Sequence, residues 1–365
     1  MRLAVDAREL EGKPTGVGRY LASLLPRFRA IDPDLDTVLY SRGDIGTHEG
    51  AIQRRVPAPS GTAWLLAALP RELQRDRPHV FFGPGYALPL TTIPTVLALH
   101  DLSFERMPET FPRRERLRRR VLARLAASRA SSIVCDSQSI ASEIESAYHP
   151  RAPIRAIPLG VADTFFAPPD PVRVAELQSH LALVRPVVGF AGSLFNRRRP
   201  GELVAACARV FKKLGGGTLV LAGDNRTFPP LDPLFLARWH LLEDRTRVTS
   251  FLTDLDLRAL LSLCDVFAWP SDYEGFGLPP LEAMASGVPV VSSNRGCLAE
   301  NLAGAAVLVD ENDAPSLATA LLSVLESEER RRELSRHGLE RARTFRWERC
   351  ATSTLDLLRS MAAVH

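Results

Sequence analysis

Two glutamates flank a glycine-rich turn in the second half of the chain. Glu274 and Glu282 lie within residues 271–284, which read SDYEGFGLPPLEAM. A strand pattern at Val266–Trp269 precedes this segment, and a helix pattern follows its turn. In an open α/β sheet, a loop that leads from a strand to a helix lies at the ligand-binding edge. One carboxylate can accept hydrogen bonds from sugar hydroxyls and the other from a ribose diol, so the segment predicts a site for a hydroxyl-rich ligand.

The turn itself suits a ligand that comes close to the backbone. Gly275 and Gly277 flank Phe276 and allow close approach, and the N–H groups that open the next helix at Leu278 favour an anion. A plain glycine turn with one surface glutamate and one on a helix face is the alternative, and each short motif alone is compatible with it. The full order of strand, Glu, Gly-Phe-Gly, helix and Glu favours the binding site.

Two arginines follow another strand pattern. After Val187–Ala191 come Gly192 and Ser193, and then Arg197 and Arg198. A charge run is usually a solvated surface, but at the carboxyl edge of a sheet these groups can neutralise a diphosphate leaving group. The chain has 43 arginines and only three lysines. Any anion site therefore depends on guanidinium groups, which bind phosphate through paired hydrogen bonds.

The first half of the chain offers a histidine and a glycine turn. His100 and Asp101 follow the strand pattern Thr95–Leu99, and this strand-end position favours a site over an ordinary structural histidine. Gly16 and Gly18 stand between a strand pattern and a helix pattern. Their N–H groups can face a phosphate or an acceptor hydroxyl, with a plain helix-start turn as the alternative.

Short apolar runs alternate with amphipathic stretches along almost the whole chain. Apolar strands separated by helices are typical of parallel sheets covered on both faces. The pattern predicts an α/β protein with two doubly wound, Rossmann-like domains, divided at a proline-rich break in residues 158–186. The expected strands are Leu3–Ala7, Thr37–Tyr40, Val80–Phe82, Thr95–Leu99, Ile133–Cys135, Ile154–Ile157, Val187–Ala191, Thr218–Ala222, Arg247–Phe251, Val266–Trp269, Val288–Ser292 and Ala306–Val309.

These motifs resemble those of GT-B-fold retaining glycosyltransferases of family 4, the group 1 glycosyltransferases. Glu274 and Glu282 reproduce that family's paired-glutamate signature. Residues 192–198 (GSLFNRR) are similar to its phosphate-binding loop, residues 99–102 (LHDL) to its histidine loop, and residues 15–20 (TGVGRY) to its first strand-to-helix loop. The first loop and the His-Asp pair are most similar to the branch with bacterial O-antigen mannosyltransferases.

The resemblance covers nearly the whole chain and implies two domains that face a central cleft. We expect an N-terminal acceptor-side domain at residues 1–168 and a C-terminal nucleotide-sugar-binding domain at residues 169–345. Residues 346–365 are similar to the family's last helix, which crosses back to the first domain. The tail from Glu328 to Met361 is predicted to be helical, with interruptions at Gly338 and near Thr344-Phe345.

The resemblance also implies roles for the candidate residues. His100 would contact the donor sugar, Glu274 would position that sugar and Glu282 would hold the ribose. Arg197 and Arg198 would stabilise the departing diphosphate, although the family usually has lysine at the position of Arg198. Retention at the anomeric carbon requires either a covalent double displacement or same-face attack, and we favour same-face attack.

The expected co-substrate is a nucleotide-diphosphate sugar, without any other cofactor. Mannose from GDP-mannose is the first expectation, with glucose or an N-acetylhexosamine from UDP as alternatives. The expected acceptor is a glycan or a polyprenyl-diphosphate-linked glycan in cell-surface polysaccharide biosynthesis. A sugar-nucleotide epimerase of the same fold, or a non-catalytic sugar- or nucleotide-binding protein, are the competing hypotheses.

Three Asp-X-Asp triplets have the spacing by which another glycosyltransferase fold binds a divalent metal. Asp32-Pro33-Asp34 and Asp34-Leu35-Asp36 share a proline-containing loop, and Asp254-Leu255-Asp256 follows Thr253 where a helix pattern begins. Helix capping explains the last triplet better than metal binding does. Since no His/Cys/Asp/Glu cluster has metal-ligand spacing, we expect no catalytic metal.

Residues 113–129 combine arginines with an apolar stripe at helical spacing. Leu117, Val121, Leu122 and Leu125 form the stripe. Such runs are usually the solvated face of a helix, but a basic face opposite an apolar stripe is also typical of an interfacial helix. Peripheral contact with anionic lipid or with a lipid-diphosphate acceptor is therefore a second hypothesis. Few aromatic residues interleave, which disfavours nucleic acid.

Composition limits the remaining classes. The 365 residues are 45% hydrophobic and 24% charged, with a formal net charge of +4, too small to indicate a nucleic-acid partner. Asp6 interrupts the N-terminus before any signal-peptide core, and the five cysteines lack metal-type pair spacing. We therefore expect free thiols and a cytoplasmic protein, located at the inner face of the membrane if the arginine-rich helix contacts lipid.

Overall fold

The computed structural model describes residues 1–12 and 16–363. Thr15, which begins the TGVGRY motif, and residues 364–365 of the expected last segment lie outside the described residues. The chain forms two compact units. The first comprises Met1–Pro108, Pro112–Gly160 and Arg346–His365, and the second comprises Glu109–Phe111 and Val161–Phe345.

A seven-stranded parallel sheet forms the centre of the first unit. Its strands are β1 (Arg2–Asp6), β2 (Asp36–Ser41), β3 (Ala51–Arg55), β4 (Val80–Pro84), β5 (Thr95–Ala98), β6 (Ser132–Cys135) and β7 (Ile154–Ala156). They lie in the order β3-β2-β1-β4-β5-β6-β7. Leu3 of β1 pairs with Thr37 of β2 on one side and with Val80 of β4 on the other. Leu3, Ala4 and Val5 point alternately to the two faces and are all fully buried, as expected for strands covered on both faces.

Strand β3 has no counterpart among the expected strands. Four of its five residues are exposed, and it lies at the edge of the sheet. An edge strand needs no apolar run, so the hydrophobic pattern does not reveal it.

Helices cover the first sheet. They are α1 (Gly16–Ile31), α2 (Gly61–Ala63), α3 (Leu69–Asp76), α4 (Ser103–Arg106), α5 (Arg113–Arg129) and α6 (Gln138–Tyr148). A π-helical turn at Trp64–Ala68 joins α2 to α3.

Helix α5 has the predicted bounds, and its buried face does not include the predicted apolar stripe. The buried residues are alanines, Ala123, Ala126 and Ala127. Leu117, Val121 and Leu125 of the expected apolar stripe are 63%, 57% and 39% exposed. Arg114 is exposed and lies three residues before Leu117, and Arg124 is exposed and lies three residues after Val121. Residues at this spacing are neighbours on a helix surface. The prediction of a basic face opposite the stripe is therefore wrong, since arginines flank the stripe.

A six-stranded parallel sheet forms the second unit. Its strands are β8 (Val187–Ala191), β9 (Thr218–Ala222), β10 (Thr246–Thr249), β11 (Val266–Trp269), β12 (Val290–Ser293) and β13 (Val307–Val309). They lie in the order β10-β9-β8-β11-β12-β13. The helices are α7 (Pro171–Leu181), α8 (Pro200–Leu214), α9 (Pro233–Trp239), α10 (Asp254–Leu263), α11 (Leu278–Ala285), α12 (Gly296–Leu302), α13 (Ala314–Leu325) and α14 (Glu328–Ala342).

Two details of the second unit differ from the expectation. The proline-rich break contains helix α7, with Asp170 as its N-cap and Pro171 as its first residue. Gly338 does not interrupt the tail: it lies buried inside α14, where a Cβ atom would come within 3.0 Å of Met284 Cγ. Glycine here allows α14 to pack closely on α11.

The last helix, α15 (Trp347–Ala362), belongs to the first unit and packs on α1. The rings of Tyr20 and Trp347 lie 6.3 Å apart, and Arg359 Nη2 donates to Asp32 Oδ2 at 2.7 Å. Asp32, from one of the Asp-X-Asp triplets, thus has an ion-pair partner. None of the described helices has both the length and the apolar content needed to cross a bilayer.

Candidate functional site

Adjacent strand ends bring the candidates from the second half of the chain together. β8 lies beside β11, at the point where the strand order of the second sheet reverses. Ligands of open α/β sheets bind at the carboxyl ends of the strands at such a switch point. The loop after β8 carries Gly192, Ser193, Arg197 and Arg198, and the loop after β11 carries Glu274.

Arg198 and Glu274 form a two-bond ion pair between these loops. Nε of Arg198 donates to Oε1 of Glu274 at 2.7 Å, and Nη2 donates to Oε2 at 3.0 Å. Nη1 donates to the Ser193 carbonyl at 2.8 Å. Ser271 Oγ donates to Glu274 Oε1 at 2.9 Å. The pair is mostly buried, with 11% of the Arg198 side chain and 8% of the Glu274 side chain exposed.

The charge of Arg198 determines the ionisation of Glu274. Burial raises the pKa of this carboxyl group, but the positive charge and hydrogen bonds of Arg198 outweigh burial. Arg197 and the Ser271 hydroxyl add to the effect of Arg198, so the pKa of Glu274 is lowered. Glu274 is therefore an ionised carboxylate that can accept further hydrogen bonds.

Aromatic rings and a glycine fix the position of the Arg198 guanidinium. It lies 4.5 Å from the centre of the Trp269 ring, a cation–π contact at the end of β11. Gly192 has φ +142°, and a Cβ atom there would lie 2.9 Å from Trp269 Cη2 and 3.2 Å from Arg198 Nη1. Only glycine fits here without moving the guanidinium.

Backbone and side-chain bonds join the loops after β8, β11 and β13. The Arg197 carbonyl accepts a hydrogen bond from the Asp272 N–H at 2.8 Å, and the Arg197 guanidinium lies 4.3 Å from the centre of the Phe195 ring. Asp272 pairs with Arg199 and accepts from Asn312 Nδ2 at 2.8 Å. The loops that carry the candidate arginines are thus braced against each other, and Arg197 itself is buried, which reduces the cost of ordering these groups when a ligand binds.

Helix α11 begins at the glycine turn, as the sequence predicts. Gly277 has φ +90° and is its N-cap, and Leu278 is its first residue. Pro279 and Pro280 follow and lack N–H groups, so few backbone donors remain in the first turn. Glu282 lies one turn further along and is 3% exposed.

The two remaining residues of the turn differ in position. Gly275 is partly exposed. The Phe276 side chain is buried and packs edge-on against Phe345 with ring centres 5.5 Å apart, while the Phe276 carbonyl accepts from Asn301 Nδ2 at 2.8 Å. Phe276 therefore supports the turn from inside the unit.

The first unit brings His100 against an aspartate that the sequence analysis missed. Nδ1 of His100 lies 3.0 Å from Oδ1 and 2.9 Å from Oδ2 of Asp136. Burial lowers the pKa of His100, but the Asp136 carboxylate outweighs burial and raises it; Asp101 and Glu9 act in the same direction. Burial also raises the pKa of Asp136, against the effect of His100. We assign Asp136 as the ionised partner because both its oxygens contact one ring nitrogen.

The other candidates of the first unit are Asp101, Gly16 and Gly18, and each has different surroundings. Asp101 Oδ1 accepts hydrogen bonds from the N–H and hydroxyl of Ser103, at 2.9 and 2.7 Å, and so stabilises the turn before α4. Gly16 is exposed at the start of α1, and Gly18 is buried in its first turn. The α1 residue Tyr20 packs edge-on against His100, with ring centres 4.7 Å apart. The candidates of the two halves thus belong to different units.

Three residues of these clusters were missed by sequence reasoning, namely Asp136, Trp269 and Asp272. Asp136 follows β6 as His100 follows β5, and the two strands pair in parallel. A search for polar residues after every expected strand would have found it.

The Asp-X-Asp triplet at residue 254 begins α10, and Thr253 Oγ1 accepts from the Asp256 N–H at 3.2 Å, so the prediction of helix capping is confirmed.

Comparisons with known proteins show the family to which this chain belongs. A family model described as Glycosyltransferase Family 4 matches residues 14–165, and one described as Glycosyl transferases group 1 matches residues 177–341. O-antigen chain mannosyltransferase B from Escherichia coli is 28% identical, over 98% of this chain and 99% of its own. A GDP-mannose-dependent α-(1-6)-phosphatidylinositol monomannoside mannosyltransferase from Mycobacterium tuberculosis is 32% identical, over 60% of this chain and 59% of its own.

The fold has solved counterparts. The structure of Anabaena Alr3699/HepE in complex with UDP-glucose superimposes with a TM-score of 0.78, at 20% identity, over 99% of this chain and 100% of that one. Two parallel-sheet Rossmann-like units with such neighbours define a GT-B protein. The chain belongs to the group 1 glycosyltransferases of family 4, which confirms the resemblance inferred from its motifs.

Proposed function

We propose that this glycosyltransferase moves a hexose from a nucleotide-diphosphate sugar, bound by the second unit, to an acceptor bound by the first. The observation that carries the proposal is the braced pair Arg198–Glu274 at the switch point of the second sheet. Arg198 has five N–H donors, of which three are used in bonds to Glu274 and the Ser193 carbonyl. The other two remain for phosphate oxygens. Glu274 has oxygen lone pairs left for sugar hydroxyls.

Mannose from GDP-mannose is the proposed donor. The names of two relatives, an O-antigen chain mannosyltransferase and a GDP-mannose-dependent mannosyltransferase, support it. Glucose or an N-acetylhexosamine from UDP is the alternative, supported by the UDP-glucose complex of the HepE structure. The proposed acceptor is a glycan or a polyprenyl-diphosphate-linked glycan of a cell-surface polysaccharide.

The proposed reaction retains the configuration at the anomeric carbon and uses no metal. The bond from the anomeric carbon to the diphosphate breaks while the acceptor oxygen attacks from the same face, and the acceptor proton passes to the departing diphosphate. Arg197, Arg198 and the N–H of Leu278 would stabilise the developing charge. Glu274 would position the sugar and Glu282 the ribose, and His100 would contact the donor sugar.

A nucleophilic role for Glu274 is the alternative mechanism. A nucleophile must reach the anomeric carbon with a free oxygen. Both oxygens of Glu274 already accept hydrogen bonds from Arg198, and Oε1 accepts another from Ser271. This arrangement favours positioning over attack.

Helix α5 is the proposed membrane contact, at the inner face of the membrane of a cytoplasmic protein. Leu117, Val121 and Leu125 are exposed beside exposed arginines, so one surface offers both apolar and cationic groups. Anionic lipid headgroups attract such arginines, while the apolar side chains enter the acyl boundary.

Release of nucleoside diphosphate from a panel of GDP- and UDP-sugars, with lipid-linked acceptors, tests the function. We expect acceptor-dependent release that is fastest with GDP-mannose. Conversion of the donor without acceptor would favour the epimerase, and tight binding of free sugar without turnover would favour the binding protein. No release from any donor would contradict the proposal.

A further inference from the structure

A buried carboxylate behind His100 determines what the histidine can offer to a ligand. Asp136 follows β6, which pairs in parallel with β5, so its side chain reaches the strand end that carries His100. Asp136 is 3% exposed, and both its oxygens lie within 3.0 Å of His100 Nδ1. An ionised carboxylate only accepts hydrogen bonds, so Nδ1 must carry the proton.

The opposite edge of the ring carries a buried nitrogen whose hydrogen bond is not made within the described residues. His100 Nε2 is shielded from water, and within residues 1–12 and 16–363 no group forms a hydrogen bond with it. A buried polar atom in this state calls for a partner. Tyr20 packs edge-on against the imidazole, with ring centres 4.7 Å apart, and so supports its orientation from one side.

We propose that Asp136 is a positioning residue that holds the proton on Nδ1 of His100 and directs Nε2 at a hydroxyl group of the bound sugar. The inference rests on the proposed function, which supplies that sugar. No covalent bond forms or breaks in this contact. When the ring is neutral, Nε2 accepts a hydrogen bond from the sugar hydroxyl, because the only N–H points to Asp136; when the ring is protonated, Nε2 donates to the hydroxyl oxygen.

Nitrogen-15 NMR of the histidine ring in the free full-length protein tests the first step. The wild-type protein should show His100 protonated at Nδ1. In Asp136→Asn the side-chain amide can donate its N–H to Nδ1. The ring proton should then move to Nε2, because the hydrogen bond at one ring nitrogen determines which nitrogen carries the proton. The pKa of His100 should fall, because Asp136 is the carboxylate that raises it most. The charges of Asp101 and Glu9, which also raise this pKa, and the ring contact of Tyr20 remain unchanged.

Asp76→Asn is the matched control. The Asp76 side chain is 6% exposed, lies in the same unit and accepts a hydrogen bond from the Tyr40 hydroxyl at 2.6 Å. This variant should leave the His100 signals as in wild type. An unchanged ring proton in Asp136→Asn would overturn the proposal, and so would an equal change in the control.

Calorimetric donor binding and transfer kinetics test the second step. Asp136→Asn should lower kcat/KM by about 10–100-fold, by analogy with the loss seen when a carboxylate that orients a metal-ligating histidine is removed. Wild-type donor affinity and kcat/KM in a variant whose ring proton has moved would overturn the sugar contact. Failure of the wild-type protein to bind any nucleotide sugar would instead refute the proposed function, since the NMR result needs no substrate.

Discussion

Arg198 and Glu274 face each other from the loops after β8 and β11, joined by two hydrogen bonds of 2.7 and 3.0 Å. They are 76 residues apart in sequence, and the strand order brings them together. An arginine fork matches a carboxylate in this way, whereas a lysine offers a point charge. The pair orders both groups before a ligand arrives, and each keeps hydrogen-bonding capacity for that ligand.

Arg198→Ala should reduce transfer by about 10²–10³-fold, the cost of removing one preorganised charge-stabilising donor. Arg198→Lys keeps the charge but loses the paired hydrogen bonds to Glu274, so its transfer rate should lie between those of wild type and Arg198→Ala. Steady-state kinetics with a saturating acceptor measures both variants, and circular dichroism checks that each is folded. Wild-type turnover in Arg198→Ala would contradict the role of this arginine.

The stability contributed by the ion pair should depend on pH. The pKa of Glu274 is lowered in the folded protein, so its contribution is present above the unfolded value of about 4.3 and is lost as pH falls through the folded pKa. Glu274→Gln leaves Arg198 buried without a carboxylate and should cost about 3–5 kcal/mol at pH 7. Below about pH 4 the difference from wild type should shrink.

Urea unfolding at several pH values measures this difference. Glu328→Gln is the control, because its ion pair with Arg332 is exposed and contributes little. A difference between wild type and Glu274→Gln that stays constant from neutral to acidic pH would contradict the ionised, arginine-paired state of Glu274.

Gly192→Ala should impair both folding and transfer. Its φ of +142° is unfavourable for alanine, and its Cβ would crowd Trp269 and Arg198; we expect a loss of about 1–3 kcal/mol. Gly215→Ala is the matched control, because Gly215 has φ +77° and none of the described residues has an atom within 4 Å of the place that a Cβ would take. The control should lose stability only. Equal donor affinity in the two variants would show that Gly192 does not hold Arg198 in place.

The α5 surface should bind anionic vesicles. Leu117→Gln with Val121→Gln should reduce binding to phosphatidylglycerol vesicles by about 10-fold or more, given about 1.5–3 kcal/mol for full burial of each side chain. Val172→Gln is the control, because Val172 is 63% exposed on a helix of the second unit. Vesicle sedimentation measures the effect. Equal binding of all three proteins to phosphatidylglycerol vesicles would exclude this helix as the contact. Binding of the wild-type protein to phosphatidylcholine vesicles only would exclude it as well.

Local sequence predicts the central strands well. β8, β9 and β11 have the predicted bounds, because they are continuous apolar runs buried on both faces. The apolar pattern does not predict the edge strand β3, nor does it predict that the stripe of α5 is exposed. Leu117 and Val121 have helical spacing, and spacing alone does not show whether an apolar face is buried or exposed.

The residue types of the site could be predicted, but their pairing could not. Arg198 and Glu274 were both candidates, each at a strand end. Their ion pair depends on β8 lying beside β11, which no local pattern encodes. Asp136 was missed for a related reason: its partner His100 lies on the neighbouring strand, so neither residue shows the pair in its own sequence context.

The central claim is retaining transfer from a nucleotide sugar, and proton NMR of a complete reaction tests it most directly. With GDP-mannose and a lipid-linked acceptor, we expect GDP and a new glycoside with the anomeric configuration of the donor, and no modified Glu274 by mass spectrometry. A glycoside of inverted configuration, an epimerised donor formed without acceptor, or a trapped glycosyl ester on Glu274 would contradict the account.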